Sequence, residues 1–109
     1  MHGFKADNIY ERLTLAGEDY ADRDAAATLL EETKKVLLAQ LMLKSPAGSM
    51  AGKETDALAD PQYTIHLGQM IEARREANRA KTRWISAQAW VDAKRTEAAT
   101  ERQAMRQGG

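Results

Sequence analysis

DPQYTIHLGQMIEARREANRAKTRWISAQAWVDAKRTEAATERQAMR, residues 60–106, is a helical pattern with one glycine, Gly68, and no proline after Pro61. Asp60-Pro61 opens it with a side-chain acceptor for the orphan N–H groups, followed by the residue whose missing N–H costs nothing at the first helical position. At 1.5 Å per residue the stretch makes a rod roughly 65–70 Å long. A compact globule of this chain length measures only about 35 Å across, from a radius of gyration near 13 Å. A helix of that length must project, bend or pack against another chain, which predicts an interacting helical protein.

The same stretch carries a heptad. Tyr63, Met70, Ala77, Trp84, Val91, Ala98 and Met105 recur every seven residues, and His66, Ala73, Ala80 and Ala87 follow three positions after the first four. Tyr63, Met70, Ala73, Ala77, Ala80, Trp84, Ala87 and Val91 therefore form an a/d seam, narrow and alanine-rich at its centre. Beyond Val91 the d positions become Lys94 and Glu101, so the seam weakens and the last fifteen residues are expected to fray or to need a partner.

The e positions include Arg74, Lys81, Arg95 and Arg102, and the g positions include Glu76, Trp90 and Glu97. In a parallel homodimer Glu76 would meet Lys81, Glu97 would meet Arg102, and Trp90 would lie beside Arg95. The pattern favours a parallel dimer held by interchain ion pairs. The same stripe also suits antiparallel packing on the acidic second helix of one chain.

Upstream, residues 45–53 (SPAGSMAGK) read as a flexible connector, and residues 54–59 as one further helical turn. Residues 20–44 form a helix with Asp22 and Asp24 near its start and Lys44 at its end, where the dipole favours each sign. Its Ala26, Leu29, Leu30, Val36, Leu37, Leu41 and Leu43 make an apolar surface wider than one partner needs, so two neighbours are expected. Residues 7–20 form a first helix, with Asp7 as its cap, Ile9, Leu13, Ala16 and Tyr20 on one face, and a bend or break at Gly17. The expectation is one all-α domain over residues 1–109: a helical hairpin (helices 7–20 and 20–44), the loop 45–53, and one long coiled-coil-like helix over 61–106.

Composition agrees with that class. Alanine supplies much of the 43% apolar content, only six residues are aromatic, and mean hydropathy is −0.60. With no cysteine there is neither disulfide nor thiolate metal site. No stretch reaches a membrane-spanning length, and the N-terminal residues lack a signal peptide's apolar core, so the cytoplasm is expected. Net charge is zero but polarised. Residues 1–69 hold 11 acidic and 7 basic residues, and residues 70–109 hold 5 and 9. Helices of one bundle would match such charges head to tail, whereas a basic arm would meet nucleic acid.

No catalytic, cofactor or metal site emerges. Ala47 and Gly52-Lys53 have the spacing of a phosphate loop, but Glu54 stands where magnesium needs a hydroxyl, and a helix precedes the loop in place of a strand. His2 and His66 lack partners at ligand spacing. No nucleophile, base and orienting group can be assembled, so no enzyme and no cofactor is expected. The basic residues of the long helix are the candidate surface, with Arg74, Lys81, Arg95 and Arg102 meeting either phosphates or carboxylates of another chain.

The runs EANRAKTRW, residues 76–84, and KRTEAATER, residues 94–102, resemble the C-terminal signature of small helical proteins encoded by tailed phages and prophages, associated with DNA-recombination gene clusters. The likeness covers about a third of the chain. It implies a phage origin and a bacterial host cytoplasm. The family has no assigned activity, so it transfers no functional residue. The expected role is non-enzymatic oligomerisation and protein interaction, with a nucleic-acid-binding accessory of phage recombination as the alternative.

Overall fold

The computed structural model describes residues 8–108; residues 1–7 and 109 lie outside it, and with them His2 and the expected cap Asp7. The fold is all-α, in the order α1 (Ile9–Lys44), α2 (Met50–Ala59) and α3 (Pro61–Gly108), with no strand among the described residues. The all-α class and the long last helix are as expected. None of the described helices is long and apolar enough to cross a membrane.

Two boundaries depart from expectation. The two predicted N-terminal helices are one helix of 36 residues, without a break at Gly17. A glycine weakens a helix interior by about 1 kcal/mol, but here a Cβ on Gly17 would sit 3.0 Å from the Trp84 indole nitrogen. A large ring lies against the bare position. At the N-terminus, Asn8 caps the helix, its Oδ1 accepting from Glu11 N–H at 2.9 Å.

The second departure is the connector. Only residues 45–49 lie outside helices, because α2 starts at Met50 and runs for ten residues. Ser49 caps α2, its Oγ accepting from Gly52 N–H at 3.0 Å. The link is fastened chiefly at Ser45, which is buried: its Oγ donates to Asp56 at 2.5 Å and accepts from Ala47 N–H at 3.1 Å, and its carbonyl accepts from Lys53 Nζ at 3.1 Å. The lysine of the apparent phosphate loop is thus used to fasten the link. At the next junction the Asp60-Pro61 cap forms as expected, with Asp60 Oδ1 accepting from Gln62 N–H at 2.8 Å.

The described chain divides into two compact units, one of residues up to Tyr20 together with those from Arg79 onward, the other Ala21–Asn78. In the second unit α1 and α3 run antiparallel, and α2 closes the end. Leu41, Ala57 and Tyr63 are buried there, with Leu37, Leu38, Met42 and Leu67 packed around them. Ala27 and Ala77 are wholly buried, where a methyl group lets two helix backbones come close. In the first unit α1 and α3 are again antiparallel. Tyr20 stacks on Trp84 with ring centroids 5.6 Å apart, and Ala80 and Val91 are buried.

Candidate interaction surfaces

The heptad seam of α3 is turned toward α1 of the same chain in each unit. Tyr63 and Ala77 in the one unit, and Ala80 and Val91 in the other, are buried without a second molecule; Met70, Ala73, Trp84 and Ala87 are half-buried. His66, on the same seam, donates from Nε2 to the Leu30 carbonyl at 2.7 Å, which requires the tautomer protonated at that nitrogen.

The e-row cations split in their roles. Arg74 forms a fork with Glu31, Nε to Oε2 at 2.9 Å and Nη2 to Oε1 at 2.7 Å, while Nη1 reaches Asp24 at 2.7 Å and Nη2 approaches Thr28 at 3.3 Å. These charge-assisted bonds are the strong kind, and the planar guanidinium fits two carboxylates at once. Hydrogen bonding to Arg74 holds the Glu31 carboxyl below its ordinary range, and the carboxylates raise the Arg74 guanidinium further above its own. Lys81 is exposed. Arg95 and Arg102 belong to a separate cluster described below.

The pairs expected between chains have partners within this one. Glu76 faces Arg23 at 3.5 Å, and Glu97 faces Lys94 at 3.4 Å. Trp90 lies beneath Arg12 and Lys94, 6.0 and 5.8 Å from its ring centroid, while Arg95 lies over the Tyr10 ring at 5.6 Å.

Two of the open surfaces gather side chains of one kind. The first is the outer side of α1. Its inner residues Leu30, Leu37 and Leu41 face the core, but Leu29, Val36 and Leu43, seven residues apart, are 63%, 55% and 85% exposed. Ala25, Ala26 and Ala39 lie beside them on the same side of the helix, also exposed. Thr33, in the same stripe, folds its hydroxyl back onto the Leu29 carbonyl at 2.8 Å and so makes no polar demand there. At the end of the stripe a shallow groove of about 400 Å³ is lined by Ala39, Met42, Leu43, Met50 and Lys53. One of the two neighbours predicted for this helix is α3; the described chain leaves the other side uncovered.

The second surface is basic and aromatic. Ile9, Tyr10, Lys94, Arg95, Ala98 and Arg102 line a groove of about 520 Å³, and the Trp90 ring with its two cations belongs to the same unit. Tyr10 is 50% and Trp90 42% exposed. The contact with the Tyr10 hydroxyl raises the Arg95 guanidinium above its ordinary value. Sequence reasoning included Lys94 among the basic residues of the long helix but missed Tyr10 and Arg12 here. The signal available was the Lys94-Arg95 doublet one turn after Trp90. Its counterpart, Tyr10 and Arg12, is some eighty residues away in sequence and meets it only through the antiparallel packing.

Among the described residues no group of three or more His, Cys, Asp or Glu side chains is disposed to hold a metal ion. Comparison with known proteins leaves these surfaces to be read from their geometry, since no family model, no curated protein and no solved structure matches the chain.

Proposed function

We propose that this chain is a non-enzymatic helical interaction protein that pairs with a second copy of itself through the outer side of α1. The observation that carries the reading is the uncovered stripe Leu29, Val36 and Leu43, continued by Met50, which is 70% exposed. Four large apolar side chains on one side amount to something on the order of 400 Å², the size at which an exposed patch signals an interaction site. The seam on α3, a natural dimer contact from its periodicity, is engaged by α1, so the pairing uses the opposite side of α1.

Charge sets the direction of pairing. Asp24 and Glu31 are engaged by Arg74, and Lys53 by the Ser45 carbonyl, so the charges that bear on pairing are Asp22 and Glu32 in residues 21–32 and Lys34, Lys35 and Lys44 in residues 33–53, which carry no acid. An antiparallel copy lays the acidic half on the basic half and sets Leu29 beside Leu43 around a central Val36. A parallel copy would oppose like charges, so the orientation differs from the parallel one that the α3 heptad favours. We read the role, with the phage likeness of the C-terminal third, as that of a phage accessory protein in a bacterial host cytoplasm.

Burying these side chains contributes about 1–1.5 kcal/mol each, against an association cost of about 4–15 kcal/mol. Gain and cost are of similar size, so the dimer is weak, in the range of micromolar to millimolar Kd. Sedimentation equilibrium from 5 to 500 µM should show the mass rising from one chain toward two. Val36→Glu, which sets two carboxylates face to face at the centre, should hold the mass at one chain without changing helix content. A single-chain mass for the wild-type protein over the whole range overturns the proposal.

A further inference from the structure

The basic–aromatic groove of the first unit is a separate surface from the α1 stripe, and nothing in the self-pairing reading uses it. Its cations fall into two kinds. Arg95 and Arg12 lie over the rings of Tyr10 and Trp90, with Lys94 on the Trp90 ring as well. Arg102 lines the groove two helical turns beyond Arg95, about 10.5 Å along the axis. Arg74, by contrast, is occupied by Asp24 and Glu31. Lys94, Arg95 and Arg102 lie instead toward the end of α3 that also holds the exposed aromatic rings.

From this juxtaposition we infer that the groove binds single-stranded nucleic acid, with phosphates on Lys94, Arg95 and Arg102 and a base stacked on Trp90 or Tyr10. Cations that track a backbone beside aromatic faces that accept any base are the two parts of a sequence-tolerant single-strand site. A duplex would use only the first part, because its base faces are covered by stacking, and the exposed halves of Tyr10 and Trp90 would then contribute nothing. The groove volume of about 520 Å³ lies within the range of small-ligand pockets and suits one nucleotide better than a helix. Asp92 beside Arg95 and Glu97 beside Lys94 dilute the field, so the binding is modest and strongly salt-dependent.

The test uses the full chain and a fluorescein-labelled twenty-nucleotide oligothymidylate, followed by anisotropy from 25 to 200 mM salt. Saturable binding at 50 mM salt is expected. Lys94→Gln with Arg102→Gln should lower the slope of log K against log salt by about 1.4, at about 0.7 for each lost single-strand contact. Trp90→Leu should weaken binding at least about fivefold while leaving the slope unchanged, as a stacking contact does. Titration of the ¹⁵N-labelled wild-type protein supplies a readout independent of any variant. The Trp90 indole and the amides of residues 9–12 and 90–102 should shift, and those of α2 should not. Three results overturn the inference: no binding at 50 mM salt, shifts confined to residues 21–78, or equal affinity for a duplex, polyphosphate or polyglutamate of matched charge with no effect of Trp90→Leu.

Discussion

Within residues 21–78, α1 meets α3 through an aliphatic cluster, two wholly buried alanines and the forked pairing of Arg74. In the unit formed by residues up to Tyr20 and from Arg79 onward, the same two helices meet through rings: Tyr20 on Trp84, and cations over Tyr10 and Trp90. Among the described residues, the first region buries Ala27, Leu41, Ser45, Ala57, Tyr63 and Ala77; the second buries only Ala80 and Val91. Aliphatic side chains enclosed on all sides remove surface from water, whereas a half-exposed ring contact is partly paid back to solvent whenever it opens. Stability should therefore be concentrated in residues 21–78, and local opening in the aromatic unit, where the open basic groove also lies.

The largest expected effects test that contrast directly. Leu41→Ala leaves a cavity among Ala57, Tyr63 and their neighbours and should destabilise the protein by about 3 kcal/mol. Trp84→Ala removes a bigger side chain, but one partly open to solvent, and should cost about 2 kcal/mol. Urea unfolding gives both numbers. Hydrogen exchange should show Trp84→Ala accelerating amides of the aromatic unit first and Leu41→Ala lowering protection everywhere. The reverse order of the two losses would break the comparison.

The contrast also explains which features the sequence shows and which it hides. The Asp60-Pro61 start of α3 is legible because a cap is a local device, complete within three residues. The heptad marks a buried side of α3, but periodicity says nothing about which chain covers it, and α1 supplies an acidic partner within reach. Glu76 illustrates the same limit, since spacing points it to Lys81 of another copy while the fold gives it Arg23. The α2 start was hidden because Gly52 reads as loop, although Ser49 three residues earlier is an N-cap. Gly17 reads as a break for a similar reason, the occupant of its missing side chain being 67 residues away at Trp84. The surplus apolar width of residues 20–44 was legible from composition alone; which half stays open required α3 to be in place.

A smaller effect separates the two regions by pH. Arg74 holds the Glu31 carboxyl below its ordinary range, so folding favours the carboxylate. That contribution is complete above the unfolded value of about 4.3 and is lost as pH falls through the lower folded value. Glu31→Gln should therefore lower the thermal midpoint at pH 7, and the gap to the wild-type protein should close as the pH is taken below 4. Asp19 faces Arg83 at 3.3 Å across the aromatic unit with both side chains about half exposed, and exposed pairs of this kind contribute about 0–1 kcal/mol. Asp19→Asn should leave the midpoint almost unchanged at either pH. Equal pH-dependent losses in the two variants would show that the fork geometry of Arg74 confers no advantage over the exposed Asp19–Arg83 pair.

The smallest effects come from adding one methyl group in each region. Alanine is favoured over glycine in a helix interior by about 1 kcal/mol, and by less in the first turn. At Gly52 the new Cβ would stand 2.9 Å from the Ala47 Cβ and 3.1 Å from Ser49 Oγ, the atom that caps α2. Ala47 cannot easily yield, because its N–H is held by Ser45 Oγ, which is itself held by Asp56. Gly52→Ala should therefore destabilise by about 1 kcal/mol, the lost link outweighing the small gain in propensity. At Gly17 the new Cβ would stand 3.0 Å from Trp84 Nε1 and 3.4 Å from its Cδ1. The indole is partly open to solvent and stacks on Tyr20, so a slide of a few tenths of an ångström relieves the contact. Gly17→Ala should leave stability within about 0.5 kcal/mol of the wild-type value, the propensity gain offsetting the displaced ring. Urea midpoints for the two alanine variants decide the matter. A larger loss at Gly17 than at Gly52 would mean that the ring contact is the stiffer of the two, and that the aromatic unit is the better-fastened region of the molecule.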